Sequence, residues 1–272
     1  MADGTVETPF GAERLAELPL RNAPLLRVLA QIRFPRLATL ATGDDMANLF
    51  AMSMSGDYPI LTEQREVAVT ITPDGVTQAP GAARVWQLRS ADEQWQISFG
   101  DSFLAVDTAA YTSREDFAAR VAHAWQRFEQ VVRPPFVERL GVRYINRITD
   151  LETLAALPSL VRPEALGGVQ ALVGCDVRLS HSIHEALYHL DDHNGLQARW
   201  GMLPPGAVLD PTIQPVPDNS WVLDLDAFRS GRHDVAAGDV DQHLRQLAER
   251  AYRYFRWVVT PDFLTWFGGE PR

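Results

Sequence analysis

VVRPPFVERLGVRYINRI, residues 131–148, is where the chain changes its periodicity, and its reading decides the fold. Upstream, Phe117, Val121, Ala124, Trp125, Phe128 and Val132 recur at helical spacing, as the buried stripe of an amphipathic helix does. Pro134 and Pro135 stop that helix, because proline lacks the N–H that an interior position needs and its ring clashes with the preceding turn. Downstream the period falls to two. Leu140, Val142, Tyr144, Asn146 and Ile148 take one face of a strand, and Arg139, Gly141, Arg143, Ile145 and Arg147 the other.

Read outward towards the N-terminus, residues 1–23 form an arm or short helix. A first strand then runs from Leu25 to Phe34, with Val28, Ala30, Ile32 and Phe34 on one face and Arg27, Leu29, Gln31 and Arg33 on the other. A helix over Asp44 to Ser55 follows, and then strands at 67–71, 84–90, 94–99 and 103–108. Turn residues separate these strands: Pro73-Asp74-Gly75, Ala91-Asp92-Glu93 and Gly100-Asp101-Ser102. Thr112 with Glu115 reads as a capping box for the long helix.

Towards the C-terminus the order repeats. The lead strand Phe136 to Ile148 is followed by a short helix at Thr153 to Leu157, ahead of Pro158, and by strands at 171–183, 186–190, 196–203 and 221–228. Asp192-His193-Asn194-Gly195 is a hairpin turn, and Asp239 with Gln242 caps a second long helix carrying Leu244, Leu247, Ala251, Phe255 and Val258. The two helices align without a gap, placing Ala124 on Ala251 and Phe128 on Phe255. The expectation is an α+β fold: one antiparallel sheet from two similar halves, 24–134 and 135–272, packed as one structural unit with both long helices on one face.

The 272 residues, 46% apolar, suffice for a full core. A formal charge of −10 argues against general nucleic-acid binding or recruitment to an anionic membrane. No apolar run reaches membrane-spanning length, and the first residues lack a signal-peptide core, so the expected location is the cytoplasm. The single cysteine, Cys175, has no partner for an internal disulfide. All 25 basic residues are arginine, which removes Schiff-base chemistry and the phosphate-binding lysines of P-loop proteins and kinases. Two explanations compete for the missing lysines: coding bias, or selection against lysine modification.

PLLRVLAQIRFP at 24–35, the meander at 85–111, RLGVRYINRI at 139–148 and FRWVVTPDFLTWFG at 255–268 carry a resemblance to a sporadically distributed family of uncharacterised bacterial and archaeal proteins of about this length. The resemblance covers the chain nearly end to end. It implies a shared fold and supplies no catalytic residue.

Arg139, Arg143 and Arg147, widened by Arg27 and Arg33, form the candidate ligand-binding row, since each guanidinium presents a planar fork suited to phosphate or carboxylate. The competing reading pairs them with acids on neighbouring strands, such as Asp224 and Asp226. His181, His184, His189 and His193 invite a metal reading, but strand geometry turns His181 and His184 to opposite faces, so no metal and no cofactor is expected. Gly100-Asp101-Ser102 reads as a turn, and G-x-S-x-G, G-x-G-x-x-G and H-E-x-x-H do not occur. Trp257 and Trp266 sit in an aromatic tail that either caps the core or docks on a partner. The expected function is a non-enzymatic binding or adaptor protein recognising a protein partner or an anionic ligand, in a sporadically inherited bacterial system such as phage defence or a biosynthetic cassette. The alternative is an enzyme with an arginine-lined pocket for a phosphate- or carboxylate-bearing substrate.

Overall fold

A computed structural model of the chain describes residues 6–11, 15–72, 75–172, 177, 179–210, 212–234 and 236–269, with 65–83 and 172 described by their backbone alone. The protein is α+β. Its nine described strands form one antiparallel sheet: β1 (Leu25–Arg33), β2 (Ile60–Thr72), β3 (Gly75–Arg89), β4 (Trp95–Phe99), β5 (Phe103–Thr108), β6 (Val137–Ile148), β7 (Ser182–His189), β8 (Asn194–Leu203) and β9 (Ser220–His233). Their order across the sheet is β2-β3-β4-β5-β1-β6-β9-β8-β7. The described helices are α1 (Ala38–Ala41), α2 (Asp45–Met54), α3 (Arg114–Val132), α4 (Leu151–Leu160), α5 (Pro163–Leu166), α6 (Ala237–Val258) and α7 (Pro261–Trp266).

The chain divides into two compact units. One comprises Leu29–Gly141 and Arg229–Arg245, the other Met1–Val28, Val142–Phe228 and Gln246–Arg272. The cut in mid-chain falls inside β6.

In the first of these units α3 is the organising helix. Ser113 caps it, its side chain accepting from Asp116 N, and Glu115 and Asp116 place negative charge in the first turn, where the helix dipole favours it. The cap therefore lies one residue beyond the expected Thr112, whose hydroxyl instead contacts the Asp116 carboxylate. Arg133 ends the helix in the left-handed conformation at φ 55°, donating to Glu129 O, and Pro134 prevents continuation. Phe117, Val121, Ala124, Trp125, Phe128 and Val132 are all buried, so the stripe read from the sequence is the core-facing one. Phe128 meets Phe34 at 5.3 Å and Phe50 at 5.1 Å, and Phe50 meets Phe99 edge-on at 4.9 Å. Each such ring contributes about 1.5–3 kcal/mol by leaving water.

The other unit packs Trp221, Tyr254, Leu247, Ala251, Leu157, Leu160 and Phe263 in its interior. The N-terminal arm lies along the C-terminal part of α6, with Leu15 N donating to Glu249 Oε1 and Leu18 N to Tyr252 OH. The tail after α6 forms α7, capped by Thr260. Phe263 and Leu264 are buried there, while Trp266 stays 43% exposed and donates its indole N–H to Thr153 Oγ1.

Several local expectations need correction. Pro158 lies inside α4 rather than beyond it, because only the end of the helix follows it. Of the expected strand at 171–183, residues 173–176 and 178 lie outside the described residues; residues 171 and 172 end a 3-10 turn over Gly167–Leu172, and β7 begins at Ser182 and absorbs the expected strand at 186–190. Short apolar runs do not distinguish strand from turn by spacing alone. Asp239 sits within the first turn of α6 instead of capping it, since the helix starts at Ala237. Strands β2, β3 and β9 are longer than their apolar cores suggested, because ladder hydrogen bonds extend past the hydrophobic run. Cys175 and the Pro73-Asp74 pair lie outside the described residues.

Candidate functional site

The predicted arginine row divides between the two compact units. Arg33 and Arg139 belong to the unit built on α3, where Arg33 is exposed and Arg139 folds back over Gly141. A Cβ at residue 141 would stand 2.5 Å from Arg139 Nη1, so glycine makes the room for that side chain. Arg27, Arg143 and Arg147 belong to the other unit, and the fold gathers them there with Arg199 from β8.

Arg143 lies at the centre. It holds Asp224 bidentately, Nε to Oδ1 and Nη2 to Oδ2, both at 2.7 Å, and donates Nη1 to Asp210 Oδ2 at 2.6 Å. Arg199 donates Nη2 to the same Asp224 Oδ2 at 2.6 Å. Asp224 retains only 1% of its side-chain exposure, so this is a buried network in which two guanidiniums share one carboxylate. Burial works against the charge on Arg143, but Asp224, Asp210 and Asp226 outweigh it and hold the group above its ordinary value.

The loop joining β8 to β9 lies on this row. Burial opposes ionisation of Asp210, yet hydrogen bonds from Thr212 Oγ1 and N, with the Arg143 charge, outweigh it and hold the carboxyl below its usual value. Arg27 Nη1 donates to Thr212 Oγ1 at 2.7 Å. Arg147 donates to Ser220 Oγ at 3.1 Å, Gln214 O at 3.0 Å and Ala207 O at 3.3 Å. These acceptors are neutral. Burial alone lowers the Arg147 pKa, and among the described residues no carboxylate forms an ion pair with it.

Between loop and sheet lies a small pocket. Arg143, Arg147, Asp210 and Asp224 supply its polar lining, and Leu26, Leu203, Val208, Leu209, Ile213 and Val222 its apolar walls. Around it four guanidiniums, of Arg27, Arg143, Arg147 and Arg199, face three carboxylates, of Asp210, Asp224 and Asp226.

Two members of the cluster went unnamed in the sequence reading. Arg199 was accessible, since Leu196 and Ala198 are buried on β8 and alternation sends Arg199 to the other face. Asp210 was legible only as a turn residue, its carboxylate accepting from the residue two positions on. The histidines do not converge: among the described residues no group of His, Cys, Asp and Glu is arranged to hold a metal. His184 stacks on Trp200 with ring centroids 5.6 Å apart, and its Nε2 lies 2.8 Å from Ser182 Oγ. Gly100-Asp101-Ser102 forms the β4–β5 turn, where Asp101 accepts from Arg36 Nε. No helix among the described residues is long and apolar enough to cross a membrane.

Compared with protein-family models the chain matches none, and a comparison with curated proteins likewise returns no match.

Proposed function

We propose that this chain is a non-enzymatic binding or adaptor protein whose recognition site is the arginine cluster of Arg27, Arg143, Arg147 and Arg199, and that the site takes an anionic group, carboxylate or phosphate. One observation carries the reading: among the described residues, the partly buried Arg147 guanidinium meets only neutral oxygens. A partly buried cation that no described carboxylate pairs gains more from an incoming anion than one already paired. Binding suits the site better than catalysis. Asp210 and Asp224 are both engaged by arginine, and Asp210, held below its ordinary pKa, is a poor general base near neutral pH.

The duplicated architecture belongs to the same reading. The sheet order runs β1, β5, β4, β3, β2 in one direction from its middle and β6, β9, β8, β7 in the other, each a lead strand followed by later strands in reverse chain order, which supports two related halves. On this reading the chain is an adaptor in a sporadically inherited bacterial system.

The test is calorimetric titration of the full chain with inorganic phosphate at low ionic strength. Arg147→Ala weakens binding by about tenfold, matching loss of a charged hydrogen bond, and Arg147→Lys restores part of it. Equal affinity in wild type and Arg147→Ala overturns the site.

A further inference from the structure

The row already holds a peptide, its own loop. The manner of holding is that of peptide recognition: Arg147 takes the main-chain carbonyls of Ala207 and Gln214, Arg143 takes the Asp210 carboxylate, and Arg27 takes the Thr212 hydroxyl. Asp210 Oδ1 also accepts from Thr212 N and Oγ1, so carboxylate and hydroxyl are presented together as one acidic turn. None of the loop's described residues from 204 to 219 is fully buried, and Val208, Leu209 and Ile213 leave a small gap against the sheet. A partner segment must replace these contacts, so it is favoured only by as much as its own contacts exceed those of the loop.

Building on the binding site proposed above, we infer that its ligand is an acidic peptide segment of a protein partner, a carboxylate followed two residues later by a hydroxyl residue. This segment replaces Asp210 and Thr212 on Arg143 and Arg27. The resident loop then acts as a competitor that sets the affinity, since the partner gains only the difference between its own contacts and those of the loop.

The probe is the free peptide PGAVLDPTIQPVP, residues 205–217, titrated into the full chain alongside inorganic phosphate. The Asp210→Ala, Thr212→Val double variant, with its competing groups removed, binds the peptide at least about tenfold more tightly than wild type does. Within the peptide, Asp210→Asn reverses the gain. Thr212→Val alone gives an intermediate gain and carries the test should the double variant not fold. Peptides with Asp and Asn binding the folded variant equally, or no peptide binding at all, overturn the inference. Arg147-dependent phosphate binding without peptide binding leaves the anion site standing and removes only the peptide. Binding of neither probe to a cooperatively melting variant removes both.

Discussion

Arg143 and Asp224, on neighbouring strands β6 and β9, meet through two parallel hydrogen bonds of 2.7 Å, with the carboxylate 1% exposed. Removing one partner strips a buried charge of its bidentate partner and leaves it a single other, Asp210 for Arg143 or Arg199 for Asp224. Asp224→Ala or Arg143→Ala should therefore lower stability by up to about 3–5 kcal/mol in urea unfolding. A loss below about 1 kcal/mol would show the network to be solvated.

Arg147 should behave differently. Its acceptors are neutral oxygens that water can replace at the protein surface, so Arg147→Ala is expected to cost only about 1 kcal/mol of stability while weakening phosphate binding. Thermal unfolding and calorimetry on the same samples check the split.

Asp191 organises the β7–β8 turn, and hydrogen bonds from His193 N and Asn194 hold its pKa down to about 2 from an ordinary 3.8. Because the folded pKa lies below the unfolded one, the stabilisation is present above about pH 4 and is lost as pH falls through about 2. The stability difference between wild type and Asp191→Ala should close over that window. A carboxyl titration by NMR placing the midpoint near 3.8 would contradict this.

Gly201 sits at φ 139°, and a Cβ there would lie 1.8 Å from the Ser182 carbonyl oxygen. Gly201→Ala must push β7 and β8 apart, and a loss above about 3 kcal/mol is expected, with amide exchange rising along β7. Gly206, at φ 77° with open space around it, is the control; alanine there should cost only about 1 kcal/mol of backbone strain.

In the aromatic core Phe128 contacts Phe34, Phe50, Phe99 and Trp125. Phe128→Ala should cost about 3–5 kcal/mol, read from the shift of the urea midpoint. A cost near 1 kcal/mol would mean that the four neighbouring rings collapse into the cavity.

Much of the fold was legible because its signals are local. The stripe on α3, the stop at Pro134, the alternation in β1 and the turn at Gly100 each depend on residues within a few positions of one another. The misreadings fall where local signals are weak or shared. Ser113 and Thr112 are both competent caps, and Pro158 is tolerated near a helix end. The longer β2 and β3 depend on ladder partners that the hydrophobic pattern does not encode.

For the site, the sequence by itself determined that Arg143 and Arg147 share a face of a strand, since side chains alternate with a period of two. It equally determined that no lysine supplies a second kind of cation. Only the tertiary structure decided what those arginines meet. Asp224 reaches Arg143 from a strand 81 positions away and Asp210 from a loop 67 away, while Arg147 receives backbone oxygens and Arg139 belongs to the other unit. Periodicity fixes the direction of a side chain; the acid that faces it is set by strand order and loop path, which depend on contacts summed over the whole chain.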